Sequence, residues 1–475
     1  MTSLKLFRKQ WIISKTPDLP EKHHLDSFQT FSLGNSLFLH HDRDLTIQEF
    51  KQNKNEKWLV LGVTISTPDE DDDVYHLLGR YVVIRFPWLS LDAIGSMGVF
   101  YATEESDIIC GSSNSLLSHV TRKPLSGRSL KNELMNWDPL PMSRVSGFSK
   151  MFVDQELNLI NTSTRVVPRK RNYINQTIDL SKKLADEILK TACLYKDIKR
   201  PIYLPLTAGH DSRTIFAAFI KAEVPFKTYT FILENEDTRL DAKIASRLSE
   251  AFGIEHNIIK AGPFNEDNHK IYQQHSGGYG GDQGITYATF NYYRHIPDNA
   301  LLVHGSCFEA GQHIYAERFK GIEFKDPKKT AQNIARIFSI SGNREINALS
   351  DWLQHRSLHS TGLSDIATSF YLDQKCCGWN AENRQEEDLF AFDWVIFANT
   401  WRLIDIMIST PYNPKRTTTF QERAMDILVP GISTIQPINP RMTLPHLIRS
   451  LLTNPNTRFR ARRKITMTLK KLFKQ

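Results

Sequence analysis

Cysteine is scarce in this chain. Five occur among 475 residues, and Cys110, Cys193, Cys307 and the adjacent Cys376 and Cys377 form no metal-ligand spacing. Structural zinc needs paired cysteines or histidines at short fixed intervals, so none is expected. Neighbouring cysteines make a poor disulfide pair, and reduced thiols are the expectation. Long apolar runs are also missing. No stretch approaches the ~20 uninterrupted apolar residues that a membrane-spanning helix needs. The opening stretch, Met1 to Trp11, has no long apolar segment of the kind a secretory signal uses. A cytoplasmic location is expected. No helix-turn-helix or zinc pattern accompanies the basic residues, which disfavours a nucleic-acid partner.

What is present is an ordinary globular composition, 40% hydrophobic and 24% charged. The length suggests two to three domains. The formal net charge of +8 is unevenly spread: nine Lys or Arg and no acidic residue lie between Arg449 and Lys474. The rest of the chain is therefore close to neutral. Residues 446–475 read as a basic amphipathic tail. It is either a solvated terminal helix or a peripheral contact with an anionic membrane surface.

The most informative stretch is Leu206-Thr207-Ala208-Gly209-His210-Asp211-Ser212. An extended apolar run, Ile202 to Leu206, feeds into it, and a helical run, Arg213 to Ile220, follows. A strand, a small-residue loop and a helix N-terminus make an anion cradle, because the first helical amides lack partners. Thr207 and Ser212 add hydroxyl donors. Asp211 would repel a bare phosphate, so a divalent cation should accompany the ligand. Further on, Lys227–Ile232, His256–Ile259 and Leu301–Val303 read as strands, with a helix over Thr238–Phe252 that Gly253 ends. Alternating strands and helices imply a parallel sheet. Ligands sit at the carboxyl ends of such strands, so the Gly209 loop and the Glu309 loop are expected to face one site.

The loop resembles the pyrophosphate loop of the N-type ATP pyrophosphatases, Ser-Gly-Gly-x-Asp-Ser. Thr207, Ala208, Gly209, Asp211 and Ser212 take the motif positions, and His210 the free one. Ala208 replaces a glycine; alanine tolerates positive φ poorly, so a recast loop is expected there. Asp241-Ala242, Ala245, Phe252-Gly253 and His256 are similar to the Asp-x-x-x-Ala…Leu-Gly-x-x-His stretch of the asparagine synthetase group. In that group the fourth strand ends in Ser-Gly-Glu-Gly-Ser-Asp-Glu. Here the segment is Val303-His304-Gly305-Ser306-Cys307-Phe308-Glu309, which keeps the last Glu and has Phe308 in place of a magnesium-binding Asp. The resemblance implies an adenine-nucleotide α-hydrolase-like domain over residues 175–445, using ATP and Mg2+. It implies Asp211 and Glu309 as catalytic residues and magnesium ligands. It also implies Leu206, Thr207, Ala208, Gly209, Asp211, Ser212, Phe231 and Asp241 as nucleotide contacts.

Residues 1–165 have a different texture. Leu59–Val63, Arg80–Arg85, Gly98–Thr103 and Asp107–Ser113 are strand-like, and Asp69 to Asp73 read as a solvated loop. Gly79-Arg80-Tyr81-Val82 and the pair Phe100-Tyr101-Ala102 and Cys110-Gly111-Ser112-Ser113 resemble the layered glutaminase (Ntn-hydrolase-like) domain of the same family. That domain uses an N-terminal cysteine, whereas this chain begins Met1-Thr2-Ser3. A degenerate glutaminase layer is implied, as in the β-lactam synthetases.

The C-terminal third reads as mostly helical. Leu389–Ile408 is expected as a core helix broken near Asn399, ended by Ser409 to Pro414. Arg402 within it is either a buried anion contact or a snorkelling arginine. His275 to Asp282 is glycine-rich and reads as a substrate-side loop. Cys307 reads as a small loop residue. The overall expectation is an α/β chain: a layered β-rich unit, then a parallel-sheet ATPase with a helical end. The implied reaction adenylates a carboxylate, from a small molecule or a sugar, and transfers it to ammonia or an amine. Nitrogen would come free, from a separate glutaminase or from the substrate. The alternatives are an inactive scaffold and another adenylating enzyme of this loop class, such as a tRNA-modifying one.

Overall fold

The computed structural model describes residues 4–53, 56–68, 74–127, 137–167, 169, 179–232, 236–260, 265–278, 293–322, 326–359, 366–410 and 419–435. The Asp69–Asp73 loop, the Met1-Thr2-Ser3 start and the 446–475 tail lie outside them. Among the described residues no helix is long and apolar enough to cross a membrane.

Twelve strands come first. They are β1 (Trp11–Ser14), β2 (Phe28–Gly34), β3 (Leu37–Asp42), β4 (Ile47–Asn53), β5 (Glu56–Thr64) and β6 (Gly79–Arg85), then β7 (Trp88–Leu91), β8 (Phe100–Ala102), β9 (Ile108–Gly111), β10 (Phe148–Lys150), β11 (Gln155–Asn158) and β12 (Thr164–Val166). They form two six-stranded sheets, ordered β10-β8-β9-β1-β3-β2 and β12-β11-β7-β6-β5-β4. The observed pairings in both are antiparallel. The expected runs fall on β5, β6, β8 and β9. Six consecutive residues of β6, from Gly79 to Ile84, are buried, so both faces of that strand are covered. This explains its continuous apolar reading instead of an alternation. The edge strand β2 is mostly exposed. Residues from both sheets, including Trp11, Leu39, Trp58 and Tyr81, share one buried cluster. The helix Asn114–Thr121, capped by Ser113, packs on the first sheet through Leu116 and Leu117.

The third sheet is parallel. Its strands are β13 (Ile202–Pro205), β14 (Lys227–Ile232), β15 (His256–Lys260), β16 (Leu301–His304) and β17 (Asp393–Ile396). Their order is β15-β14-β13-β16-β17. The chain builds outward from β13 to β15, then crosses back to add β16 and β17 on the other side. The order reverses between β13 and β16, and such a reversal opens a crevice at the carboxyl ends of the two strands. The helix Leu180–Cys193 leads in, with Asp179 accepting from the Ser181 and Lys182 amides. Helices His210–Lys221 and Glu236–Ala251 follow β13 and β14. On the latter, Ala242, Ile244, Ala245 and Leu248 are buried, as the spacing requires. Gly253 then turns the chain in the left-handed region.

The C-terminal part is largely helical, with Pro327–Phe338, Asn343–His359, Trp401–Ile408 and Thr419–Leu428 as its main helices. Residues Tyr371–Asn380 form a wide π-helix. The expected core helix over Leu389–Ile408, broken near Asn399, is corrected. Asp393–Ile396 is the fifth strand, paired with Leu301–His304, and the helix is confined to Trp401–Ile408. A short apolar run suits a buried parallel strand as well as a helix, and only the free edge of β16 decides between them. Asn399 stands at the break, donating from Nδ2 to the Gly79 carbonyl at 2.5 Å.

Charged contacts tie the parallel-sheet part to the layered sheets. Arg80 of β6 holds Asp388 with two bonds of 2.9 and 2.6 Å and lies 4.0 Å over the Trp394 ring. Arg356 pairs with Asp154 at 2.8 Å. Lys150 of β10 pairs with Glu382 at 2.5 Å, and both side chains are fully buried. Removing one partner of such a pair strands a charge. Glu382→Gln should therefore destabilise the protein by about 3 kcal/mol in urea unfolding. The double change Lys150→Met, Glu382→Met should recover most of that loss; no recovery would mean that the pair itself is not the source.

Candidate functional site

The site grows from the end of β13. Leu206 donates its N–H to the Tyr229 carbonyl at 2.8 Å, and its own carbonyl accepts from the Thr230 hydroxyl. Both backbone groups are thus spent on β14. Thr207 then turns the chain. Its N–H donates to Ser212 Oγ at 3.1 Å, and the two hydroxyls share a further bond of 3.1 Å. Thr207 Oγ1 also accepts from the Gly209 N–H at 3.1 Å. The Ala208 N–H donates to Asp241 Oδ1 at 2.9 Å. Gly209, extended at φ −77°, is the N-cap of the His210–Lys221 helix, and no side chain caps that helix. Neither Ala208 nor Gly209 is in the left-handed region. The expected recasting at Ala208 is therefore corrected, because alanine meets no conformational penalty there.

The second wall comes from the end of β16. A Cβ on Gly305 would lie 3.0 Å from the Ser212 nitrogen and 3.1 Å from the Asp211 carbonyl carbon. The two loops therefore meet backbone to backbone at the sheet's switch point. Ser306 Oγ accepts from Arg384 Nη2 at 3.1 Å. Cys307 is buried in the left-handed region, at φ 83°. Phe308 turns into the core and stacks on Phe397 with ring centroids 6.2 Å apart. Thr207, Gly209, Asp211, Gly305, Ser306 and Glu309 stay half-buried, while Ala208, His210, Ser212, Cys307 and Phe308 are buried.

Asp211 and Glu309 are the acids of this crevice. Asp211 Oδ1 accepts from Gln312 Nε2 and Gln421 Nε2, each at 3.1 Å. Gln421 is steadied by Thr214 Oγ1 and Gln312, both at 2.9 Å. Glu309 Oε2 accepts from the Tyr371 hydroxyl at 3.1 Å. Desolvation first, and the nearby Glu309 second, push the Asp211 carboxyl up to about 7, against the pull of the two glutamine bonds. Two mutually repelling carboxylates fit a hard cation that they share. Among the described residues no group of three or more His, Cys, Asp or Glu could hold a metal. Two carboxylates are oxygen ligands of the kind a hard divalent cation takes.

Thr207, Ala208, Gly209, Asp211, Ser212 and Glu309 are therefore brought together. Phe231 is half-buried at the carboxyl end of β14. The Asp241 carboxylate is bonded to the loop amide, and the Leu206 backbone is used within the sheet. His210 is more than spacing, since its Nε2 pairs with Glu422 at 2.8 Å. Arg402 is exposed, which favours the snorkelling reading over a buried anion contact. The described start of the glycine-rich stretch is fastened by Arg144, which donates to the Gly277 carbonyl; residues 279–282 lie outside the described set. All five cysteines are free, and burial pushes the Cys110 thiol well up. Gln312, Tyr371, Arg384 and Gln421 were not visible as site residues. Their partners are remote in sequence, 101 residues for Gln312, 62 for Tyr371 and 210 for Gln421, and no local pattern marks them.

No family model matches the chain. No curated protein matches it either. Among solved structures it is similar to NMN synthetase from Francisella tularensis, with 13% identity and a TM-score of 0.20, over 42% of this chain and 92% of that chain. It is also similar to the U34-tRNA thiolase NcsA from Methanococcus maripaludis, with 11% identity and a TM-score of 0.22, over 43% of this chain and 80% of that chain. Likenesses this slight carry no functional argument.

The raised Asp211 pKa has a thermodynamic consequence. Its folded value, about 7, lies above the ordinary 3.8. The stability it contributes is full below about pH 4 and is lost as pH rises through about 7. Without metal or nucleotide, Asp211→Asn should gain on the order of 2 kcal/mol on the parent protein between pH 4 and pH 8. Unfolding curves across that range check it, and a flat difference would refute the shift. Gly305→Ala should cost about 1–3 kcal/mol by the same measurement, because the backbone of Asp211 and Ser212 must give way.

Proposed function

We propose that the chain is an ATP-consuming ligase of the asparagine synthetase type, joining a carboxylate to ammonia or an amine with release of AMP and pyrophosphate. The observation that carries this reading is the meeting of two acid-bearing loops, through Asp211 and Glu309, at the switch point of a parallel sheet. An oxygen of the substrate carboxylate attacks the α-phosphorus of ATP. The bond from that phosphorus to the bridging oxygen breaks, and pyrophosphate leaves with the electron pair. The amine nitrogen then forms a bond to the acyl carbon as AMP departs, and the amine proton passes to Glu309 or to solvent.

The residues present fit this division of work. Thr207 and Ser212 would offer their hydroxyls to the departing pyrophosphate, and the uncapped helix start at Gly209 adds its dipole. Asp211 and Glu309 would hold magnesium, which when bound neutralises the polyphosphate charge. Gln312 and Gln421 orient the Asp211 carboxylate, and Tyr371 orients Glu309. Asp241, bonded to the Ala208 amide, steadies the loop, and Phe231 would give the nucleoside an apolar edge. The layered sheets of residues 1–165 are read as a glutaminase-like unit. Nitrogen then enters free, from a separate glutaminase or on the substrate. A second reading, an inactive scaffold, is favoured by one observation: the amides of Thr207, Ala208 and Gly209 already have internal acceptors.

Pyrophosphate release from magnesium ATP separates these readings. With ammonia present, aspartate, glutamate and uronic acids would be offered in turn to the parent protein and to Asp211→Ala. Release with at least one acid, reduced about 100-fold or more in the variant, is expected. Silence across the acids, together with no ATP-induced rise in Tm, would leave the scaffold.

A further inference from the structure

The wide helix Tyr371–Asn380 lies directly against the Glu309 loop. Tyr371 bonds Glu309, and Cys376 Sγ sits 3.5 Å from Cys307 Sγ in the loop itself. Lys375 stands between these two contacts. Its Nζ lies 3.3 Å from the Trp379 ring centroid and 5.7 Å from that of Trp137. The side chain is half-buried. Among the described residues it forms no hydrogen bond or ion pair with an acid.

The other cations of this region differ. Arg384 is taken by Glu387 at 2.6 Å and by Asn380 at 2.8 Å. Arg356 is taken by Asp154 and Asp373. Lys150 is taken by Glu382. Lys375 is held by aromatic rings instead, within the field of Glu309, and burial brings its ammonium down to about 8. Arg318, exposed over the Tyr315 ring at 5.7 Å, adds positive charge on the same side. An ammonium kept half out of water with no acid bonded to it is costly, and an anion from outside offsets that cost. Lys375 thus sets a positive charge within electrostatic reach of Glu309.

We propose that Lys375 is the anchor for the carboxylate of the acid substrate, so that the substrate class is a small carboxylic acid read by its negative charge. The inference rests on the ligase reading. Its physical basis is that a carboxylate approaching a nucleotide polyphosphate is repelled, and a fixed cation beside the approach offsets the repulsion. The Trp379 and Trp137 rings hold the ammonium in place by cation–π attraction without consuming its charge.

Acylation of the full chain by an N-hydroxysuccinimide acetate, read by peptide mass spectrometry, tests this. Exposed Lys190 serves as the reference. Succinate, glutarate and glucuronate are the probes, at constant ionic strength, with succinamide and glucuronamide as neutral controls. At an acid concentration ten times its dissociation constant, labelling of Lys375 should fall about tenfold, with Lys190 unchanged and the amides without effect. No labelling of Lys375, no protection by any acid, or equal protection by the amides would overturn the proposal. Magnesium ATP binding by equilibrium dialysis on the same sample separates the two ideas. ATP binding without protection removes the Lys375 anchor alone. Protection without ATP binding keeps the anchor and removes the ligase reading.

Discussion

The backbone contact between Gly305 and the start of the His210–Lys221 helix is what the crevice depends on. Two adjacent parallel strands end there, and their loops leave for different elements. A glycine lets the second loop lie against the Asp211 and Ser212 backbone, which a Cβ would press at 3.0 and 3.1 Å. That approach brings Glu309 within the electrostatic reach of Asp211. It also fixes which way the next residues turn. Cys307 takes a left-handed conformation, Phe308 goes into the core, and Glu309 returns to the crevice.

The crevice acids are held by neutral partners instead of cations. Two glutamines donate to Asp211 and a tyrosine donates to Glu309. A cationic partner would neutralise the pair, whereas amide and phenol donors orient the carboxylates and leave the charge repulsion in place. Burial first, and this repulsion second, raise the Asp211 pKa. A site built this way is under electrostatic tension that a bound cation would relieve. Lys375 is arranged in the opposite manner, with the charge steadied by aromatic faces and no acid bonded to it.

The buried ion pairs at the border of the layered sheets belong to the scaffold. Arg80 with Asp388 and Lys150 with Glu382 are satisfied within the protein and remote from the loops in sequence. Such pairs contribute little net stability over apolar substitutes, but breaking one is costly. They fix the orientation of the segment 378–399, which carries β17 and the Arg384 that reaches Ser306. The layered sheets thereby help position one wall of the crevice.

Much of the local structure was legible from periodicity and punctuation. β14 matches its apolar, β-branched run, the helix before Gly253 matches its spacing, and the loop at Leu206–Ser212 stood out by its small residues between strand and helix. Those features are local, so the sequence by itself determined them. The fifth strand was misread because an apolar run of that length satisfies either helix or strand until a neighbouring edge claims it. The roles of Gln312, Tyr371, Lys375 and Gln421 were decided only by the tertiary structure. Each is an ordinary polar residue on its own helix and gains its role from an acid or a ring that the fold brings beside it. The state of Ala208 was likewise settled by backbone conformation, which the residue type alone does not specify. The sequence set where a phosphate-type loop would lie; the sheet order and the close approach at Gly305 decided what faces it.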